Sequence, residues 1–281
     1  MFEITFLGTA ASVPTATRSV SALLVFHESH RFLVDCGEDT QRQLIRSGAG
    51  FHRLDSVLLT RGHLDHVLGL GGLAATLSEW EPMDHLTIHG GASALSATRD
   101  LLKDVVLSRA GNRLALDFAP LSPGPVIEDQ RFRLSAMPLC RARDDAYGFI
   151  FEVKPQRHFD SDAAQRLGIP EGRAHHRLAH SEASTFHGGR RVAPEDVMGP
   201  GTKLVVLGDT DGTEGLIEPL RDAGTLVVEA TYLEADRALA DSHGHITAGD
   251  AARLAADAGV QALHLNHVSG RYDEANILVE A

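Results

Sequence analysis

The run Leu59-Thr60-Arg61-Gly62-His63-Leu64-Asp65-His66 decides how the rest of the chain is read. Two imidazoles and a carboxylate fall within four positions, directly after the apolar stretch Val57-Leu58-Leu59, which places them in a loop at a strand end. Imidazole nitrogen and carboxylate oxygen are donors that zinc, manganese and iron accept, and a tight loop can aim several at one point. A lone histidine has many other uses, and with 16 in the chain some clustering is ordinary. It is the cluster, its place after a strand and the distant residues that join it that favour a metal site. Arg61 opens the loop with a cation, which has no lone pair to give a metal.

Strand patterns surround this loop. Phe2–Gly8, Ala22–His27, Arg31–Gly37, Ser56–Thr60, His85–Gly90, Arg131–Leu139, Gly148–Lys154, Lys203–Gly208, Thr225–Thr231 and Ala262–Val268 are short, rich in Val, Ile, Leu and Phe, and closed by turn-forming residues. Helical spacing appears over Glu38–Ser47, Val67–Glu79, Ala94–Val105, Glu214–Asp222 and Ala248–Ala258, with Thr247 placed to cap the last. Strands leading into helices in both halves predict an α/β chain of two sheets packed face to face with helices outside.

At 281 residues the chain is long enough for one large domain or two small ones, and a net charge of −12 argues against a generic nucleic-acid coat. Two cysteines, Cys36 and Cys140, give no disulfide framework, so a reducing, cytoplasmic setting is expected. Met1-Phe2-Glu3-Ile4-Thr5 runs straight into a strand pattern without a basic leader, and no apolar run approaches the ~20 residues of a membrane span. From Lys154 to Arg191 the balance reverses, with seven Lys/Arg against four Asp/Glu and five of the 16 histidines. A solvated insertion accounts for that charge, and so does a basic protrusion that grips RNA phosphates.

Further motifs run along the whole chain. They are Phe6-Leu7-Gly8-Thr9-Ala10, Asp35-Cys36-Gly37-Glu38, Thr40-Gln41-Arg42-Gln43-Leu44, Leu167-Gly168-Ile169-Pro170, Gly208-Asp209-Thr210, Glu229-Ala230-Thr231, His245-Ile246-Thr247-Ala248 and His264-Leu265-Asn266-His267-Val268-Ser269. Together with the loop, which is similar to the H-x-H-x-D-H signature of the metallo-β-lactamase fold, they resemble the ribonuclease Z family of tRNA 3′-processing endonucleases. The resemblance implies a single metallo-β-lactamase αββα sandwich over 1–281, with 154–200 as an inserted arm that binds tRNA, and a homodimer.

Carried over residue by residue, the resemblance implies one metal position made by Asp65, His66, Asp209 and His267, all present. The other position would use the residue now Arg61, then His63, a histidine within Leu139–Arg143 and the bridging Asp209. That segment reads Leu139-Cys140-Arg141-Ala142-Arg143, so His63 and Asp209 remain there, with a Cys140 thiolate or His243 as the alternative substitute ligand. One ion per chain is expected, zinc first, with manganese or iron as alternatives, and with the Arg61 guanidinium in part of the vacated space, paired with Asp209 or a nearby carboxylate. The resemblance also gives Asp65, and His245 paired with Glu229, the proton-handling roles in phosphodiester hydrolysis. Arg18, Arg61, Arg173 and Arg177 are the expected substrate-binding residues. The loop Pro14-Thr15-Ala16-Thr17-Arg18-Ser19 keeps only the proline and arginine of the family's Pro-x-Lys-x-Arg-Asn, and Val228 stands where a histidine precedes Glu229.

Three functions fit these residues. The first is a ribonuclease Z-type endoribonuclease on precursor tRNA, the second a hydrolase of a small phosphodiester or ester on the same fold, and the third a non-catalytic RNA-binding relative. The basic arm favours the first and third, whereas the retained Asp65, His66, Asp209, His245 and His267 favour the first and second.

Overall fold

A computed structural model describes residues 2–54, 56–79, 83–108, 114–139, 145–154, 165–169, 178, 184–185, 191–192 and 202–281. Six strands form one mixed sheet in chain order: β1 (Glu3–Gly8), β2 (Ala22–His27), β3 (His30–Val34), β4 (Ser56–Leu58), β5 (His85–Gly90) and β6 (Ala115–Pro120). β3 to β6 run parallel, so their C-terminal ends share one rim. The second sheet pairs β7 (Gly124–Glu128), β8 (Phe132–Pro138) and β9 (Tyr147–Val153) antiparallel. It then continues through β12 (Thr202–Val206), β13 (Thr225–Glu229) and β14 (Ala262–Asn266), the last three mutually parallel. Between β9 and β12 lie two short strands, β10 (Ser184–Thr185) and β11 (Arg191–Val192), paired with each other.

The period-2 alternation of the strands divides the core into layers. Leu23 and Val25 of β2, Phe32 and Val34 of β3, and Leu204 and Val206 of β12 point between the sheets, where they meet Phe132, Phe149 and Phe151. Their neighbours Leu24, Leu33 and Val205 face outward into two further clusters beneath the helices. α1 (Thr40–Arg46), α2 (Leu64–Val67), α3 (Leu70–Glu79) and α4 (Ala92–Arg99), which runs on into a π-helical stretch over Asp100–Val106, are the helices of the first half. On the second sheet α5 (Ile217–Leu220) and α7 (Ala248–Asp257) do the same, with α6 (Arg237–His243) and α8 (Glu274–Glu280) flanking them. Thr247 and Asp250 close a capping box at the start of α7, as its sequence predicts.

β6 and β7 have no counterpart among the sequence expectations. Each is the edge of its sheet, half-exposed, and carries a proline (Pro120, Pro125) that a central strand would reject. The predicted strands overrun at their C-terminal ends, at Gly37, Thr60, Gly208, Thr231 and Val268, where the chain leaves the sheets. Close approaches fix that rim. A Cβ at Gly69 would lie 2.0 Å from the Gly37 carbonyl oxygen, and one at Gly208 would lie 2.5 Å from the Thr60 side chain. Bare glycine backbone therefore lets the α2 segment and the end of β12 close onto the loop after β3 and β4.

The predicted arm leaves after Lys154 and returns at Thr202, and Thr202 pairs with Val153 across the sheet. Within it, Ile169 and Leu178 are buried; most of 155–201 lies outside the described residues, including Arg173 and Arg177. Among the described residues no helix is long and apolar enough to cross a membrane.

Candidate metal centre

Loops at the C-terminal ends of the parallel strands of both sheets meet over one rim, the usual place for a site in such sheets. Asp35 follows β3, Thr60 to His66 follow β4, Asp209 follows β12, Glu229 ends β13 and His267 follows β14. Asp35 (φ 58°) and His267 (φ 52°) adopt left-handed backbone conformations that side chains with a Cβ disfavour. Hydrogen bonds hold both in place.

On the side of the first sheet, Asp35 Oδ1 accepts from the Thr60 amide at 2.8 Å, and Oδ2 accepts from Thr60 Oγ1 at 2.8 Å and from His66 Nδ1 at 2.7 Å. With its Nδ1 proton so placed, His66 turns Nε2 inward, the nitrogen that offers a lone pair to a cation once its proton is displaced. That buried atom makes no hydrogen bond; it lies 3.4 Å from Asp209 Oδ2 and 3.7 Å from Asp65 Oδ2.

The second sheet repeats the device. Glu229 Oε1 accepts from the Thr210 amide at 2.7 Å, and Oε2 accepts from Thr231 Oγ1 at 2.6 Å and from His245 Nδ1 at 2.8 Å. The Thr231 hydroxyl has then given away its only proton, so it accepts from His267 Nδ1 at 2.9 Å. His267 Nε2 faces Asp65 Oδ2 at 3.2 Å, while the Ser12 amide donates to the same oxygen at 2.8 Å. The rings of His66, His267 and His245 stack in sequence at 5.3 Å between centroids.

Burial alone would raise the Asp65 carboxyl, but the hydrogen bond to His267 and the charges of His66 and His267 hold it below the usual carboxylate range. Asp209 is likewise held well below that range against its burial, by His267 and His66. Burial disfavours charge on the His66 ring, yet Asp35 and Asp209 outweigh it and raise the imidazole well above its ordinary value. The donor set is short of positive charge, which a bound cation supplies while displacing protons from the imidazoles.

One ion fits this arrangement. Donor atoms of Asp65, His66 and His267 lie within 4.8 Å of one another, as do those of Asp209, His245 and His267. The inward, unpartnered Nε2 of His66 between two carboxylate oxygens is the atom that identifies the position. Asp65, His66, Asp209 and His267 would hold the ion, with two imidazoles and two carboxylates, a set suited to a nearly closed zinc-like site.

Among the described residues, a guanidinium fills the space beside His63 and Asp209. Arg61 is 1% exposed, with Nη1 2.5 Å from Asp209 Oδ2 and Nη2 2.5 Å from His63 Nε2. The two donors expected to remain at that position thus face a guanidinium. This burial also takes Arg61 away from the substrate-facing role expected for it, and it belongs to the interior of the centre. His63 itself lies at the exposed lip.

Arg18 is half-buried and reaches the Ser269 and Tyr272 carbonyls at 3.5 and 3.4 Å, tying the Pro14–Ser19 loop to the loop after His267. His243 is exposed and turns Nδ1 to the Leu239 carbonyl at 2.8 Å, away from the metal groups found among the described residues. Cys140, Arg141 and Arg143 lie outside the described residues. Glu229 lies against His245 as the sequence reading expects, whereas Asp35, Thr60 and Thr231 are orienting groups that sequence reasoning did not assign. Their only sequence signal is a carboxylate or hydroxyl ending a buried apolar strand.

Residues 30–268 match the beta-lactamase superfamily domain. A ribonuclease Z of Bradyrhizobium diazoefficiens is 47% identical over 100% of this chain and 94% of its own length. One of Myxococcus xanthus is 36% identical over 97% of this chain and 89% of its own. The crystal structure of the short form of human tRNase Z superposes with a TM-score of 0.69 at 24% identity, covering 97% of this chain and 94% of that one, a likeness of fold. Fold and sequence agree: the chain belongs to the ribonuclease Z family of the beta-lactamase superfamily.

Proposed function

We propose that this protein is a metal-dependent endoribonuclease that cleaves precursor tRNA at its 3′ side. The observation that carries the reading is the union of the donor group Asp65, His66 and His267, with Asp209 3.4 Å from His66, and the buried Glu229–His245 pair 2.8 Å apart beside it. Relatives named ribonuclease Z over the full chain support the choice of RNA as substrate. When bound, the ion, proposed to be a single zinc per chain, supplies Lewis acidity that eases deprotonation of water and neutralises phosphate charge.

The remaining roles fall to side chains. Asp65, held ionised at the edge of the centre, accepts the proton of the attacking water. Glu229 fixes the His245 ring through Nδ1, so that Nε2 can deliver a proton to the departing ribose oxygen. Arg18, with Arg173 and Arg177 of the inserted segment 154–200, is proposed to hold RNA phosphates. The chain is further proposed to act in the cytoplasm as a homodimer; the exposed Leu64 and Leu68, one turn apart beside the centre, support a partner on that face.

The test is cleavage of a precursor tRNA beside a chromogenic phosphodiester, before and after chelation and zinc replacement. Cleavage restored by zinc, and lowered by ~10²–10⁴ in His245→Ala without loss of bound zinc, is expected. Hydrolysis of the small diester alone would transfer the protein to small-molecule chemistry, and an inert zinc-loaded protein that binds tRNA would make it a non-catalytic relative.

A further inference from the structure

The centre contains one cation that cannot dissociate. Arg61 lies at the start of the loop that carries His63, Asp65 and His66, and it is among the largest fully buried side chains of the protein. Its guanidinium bridges Asp209 Oδ2 and His63 Nε2 at 2.5 Å each. Asp209 Oδ2 also faces His66 Nε2 at 3.4 Å, so one carboxylate oxygen is shared between the guanidinium and the position that the ion would take. A buried arginine cannot shed its proton, and its planar fork suits two acceptors held apart.

The structure assigns Arg61 the place of a second metal ion: a built-in positive charge that closes this position to divalent cations and weakens the hold of Asp209 on the one ion that remains. The inference rests on the functional reading above for the ligands of that ion and for nothing else. Two consequences follow. Without any ion, Arg61 already compensates Asp209, so the stripped protein keeps its fold. With the ion bound, two cations compete for one carboxylate at short range, where their repulsion is large. Arg61 acts through Asp209 and is a positioning residue. At 1% exposure it does not present its charge to a substrate.

The experiment counts zinc by native mass spectrometry and measures its affinity by competition with a chromogenic chelator, for the unaltered protein, Arg61→Gln and Arg61→Lys. One zinc per chain is expected in all three. Arg61→Gln should bind it at least about tenfold more tightly, and its melting temperature should rise more on adding zinc than that of the unaltered protein. Arg61→Lys keeps the charge and should stay near the unaltered affinity. An Arg61→Gln protein that folds only with zinc also supports the inference, since the ion then supplies the missing charge.

Two zinc ions in the unaltered protein would overturn it. So would a folded Arg61→Gln variant with unchanged or weaker zinc affinity, or a lysine variant that tightens as much as the glutamine one. Should Arg61→Gln not fold under any condition, the zinc count of the unaltered protein and the affinity of Arg61→Lys decide the matter. Cleavage of precursor tRNA is read separately. Its absence with one zinc and the expected affinities sinks the functional reading alone, and its presence with two zinc ions sinks this inference alone.

Discussion

Thr231 is a small residue on which two functions meet. Its hydroxyl proton goes to Glu229 at 2.6 Å, and its oxygen accepts from His267 at 2.9 Å, which fixes the ring so that Nε2 is the donor turned to the ion position. Partners of this kind, one bond removed from the metal, typically carry 10–100-fold in metal affinity. Thr231→Val should therefore weaken zinc binding by about that factor in a calorimetric titration, and Thr231→Ser should restore it. Equal affinity in the valine variant would reduce the hydroxyl to packing. Cys36, by contrast, sits within the motif but takes no part in the chemistry. Burial, aided by the charge of Asp35, pushes its thiol up to about 12 despite a bond with Thr40. Iodoacetamide at neutral pH should leave the Cys36 peptide unmodified in the folded protein and alkylate it after denaturation, because only the thiolate reacts.

Among the elements, α7 shows how local electrostatics hold one wall of the site, since His245 lies three residues before its first turn. Thr247 caps the helix, and Asp250 returns a bond to the Thr247 amide while accepting from Arg237 at 2.6 Å and Arg253 at 2.6 Å. Burial would raise the Asp250 carboxyl, but Arg237, the Thr247 amide and Arg253 together hold it below the usual carboxylate range. A carboxyl depressed by folding contributes stability that is complete above its unfolded pKa, roughly pH 4, and fades as pH falls toward the lower folded value. Urea melts should show the native protein losing stability below about pH 4 more steeply than Asp250→Asn, which has no proton to gain there. Parallel curves for the two would remove Asp250 from the acid response. The partial exposure of the cluster and its screening by salt make the effect modest.

For the molecule as a whole, the decisive feature is that the segment 155–201 is flanked by neighbouring strand residues. Val153 and Thr202 are paired across β9 and β12, so a short turn can replace 155–201 without moving either strand. Such a deletion should leave the thermal transition of the sandwich in place, apart from the loss of whatever Ile169 and Leu178 cover. If the basic segment grips tRNA, precursor affinity should drop at least tenfold and the salt dependence of binding should flatten, because fewer phosphates are neutralised. Unchanged affinity and salt slope in filter binding would detach the segment from RNA recognition.

Much of this was legible in the chain itself. Ala22–His27 is read from a short continuous apolar run, because a strand covered on both faces buries every side chain, and His85–Gly90 from apolar groups on a two-residue period, because one of its faces is less covered. The proposed ligands Asp65 and His66 are read from the loop because their chemistry and spacing are local. The edges β6 and β7 were hidden because half-exposed, proline-bearing strands lose that period. The strand ends misled in a regular way: the apolar pattern runs on to Thr60, Thr231 and Val268, while the backbone turns out of the sheet to build the centre. Which carboxylate or hydroxyl orients which imidazole depends on residues 31 positions apart, as for Asp35 and His66, or 36 apart, as for Thr231 and His267. No local pattern encodes such pairs. The same holds for Arg61. Its place in the loop implies, by resemblance, a ligand lost, but only the packing of β12 against the loop after β4 puts its charge between Asp209 and His63, because the guanidinium and a carboxylate 148 positions away are buried together by tertiary contact alone.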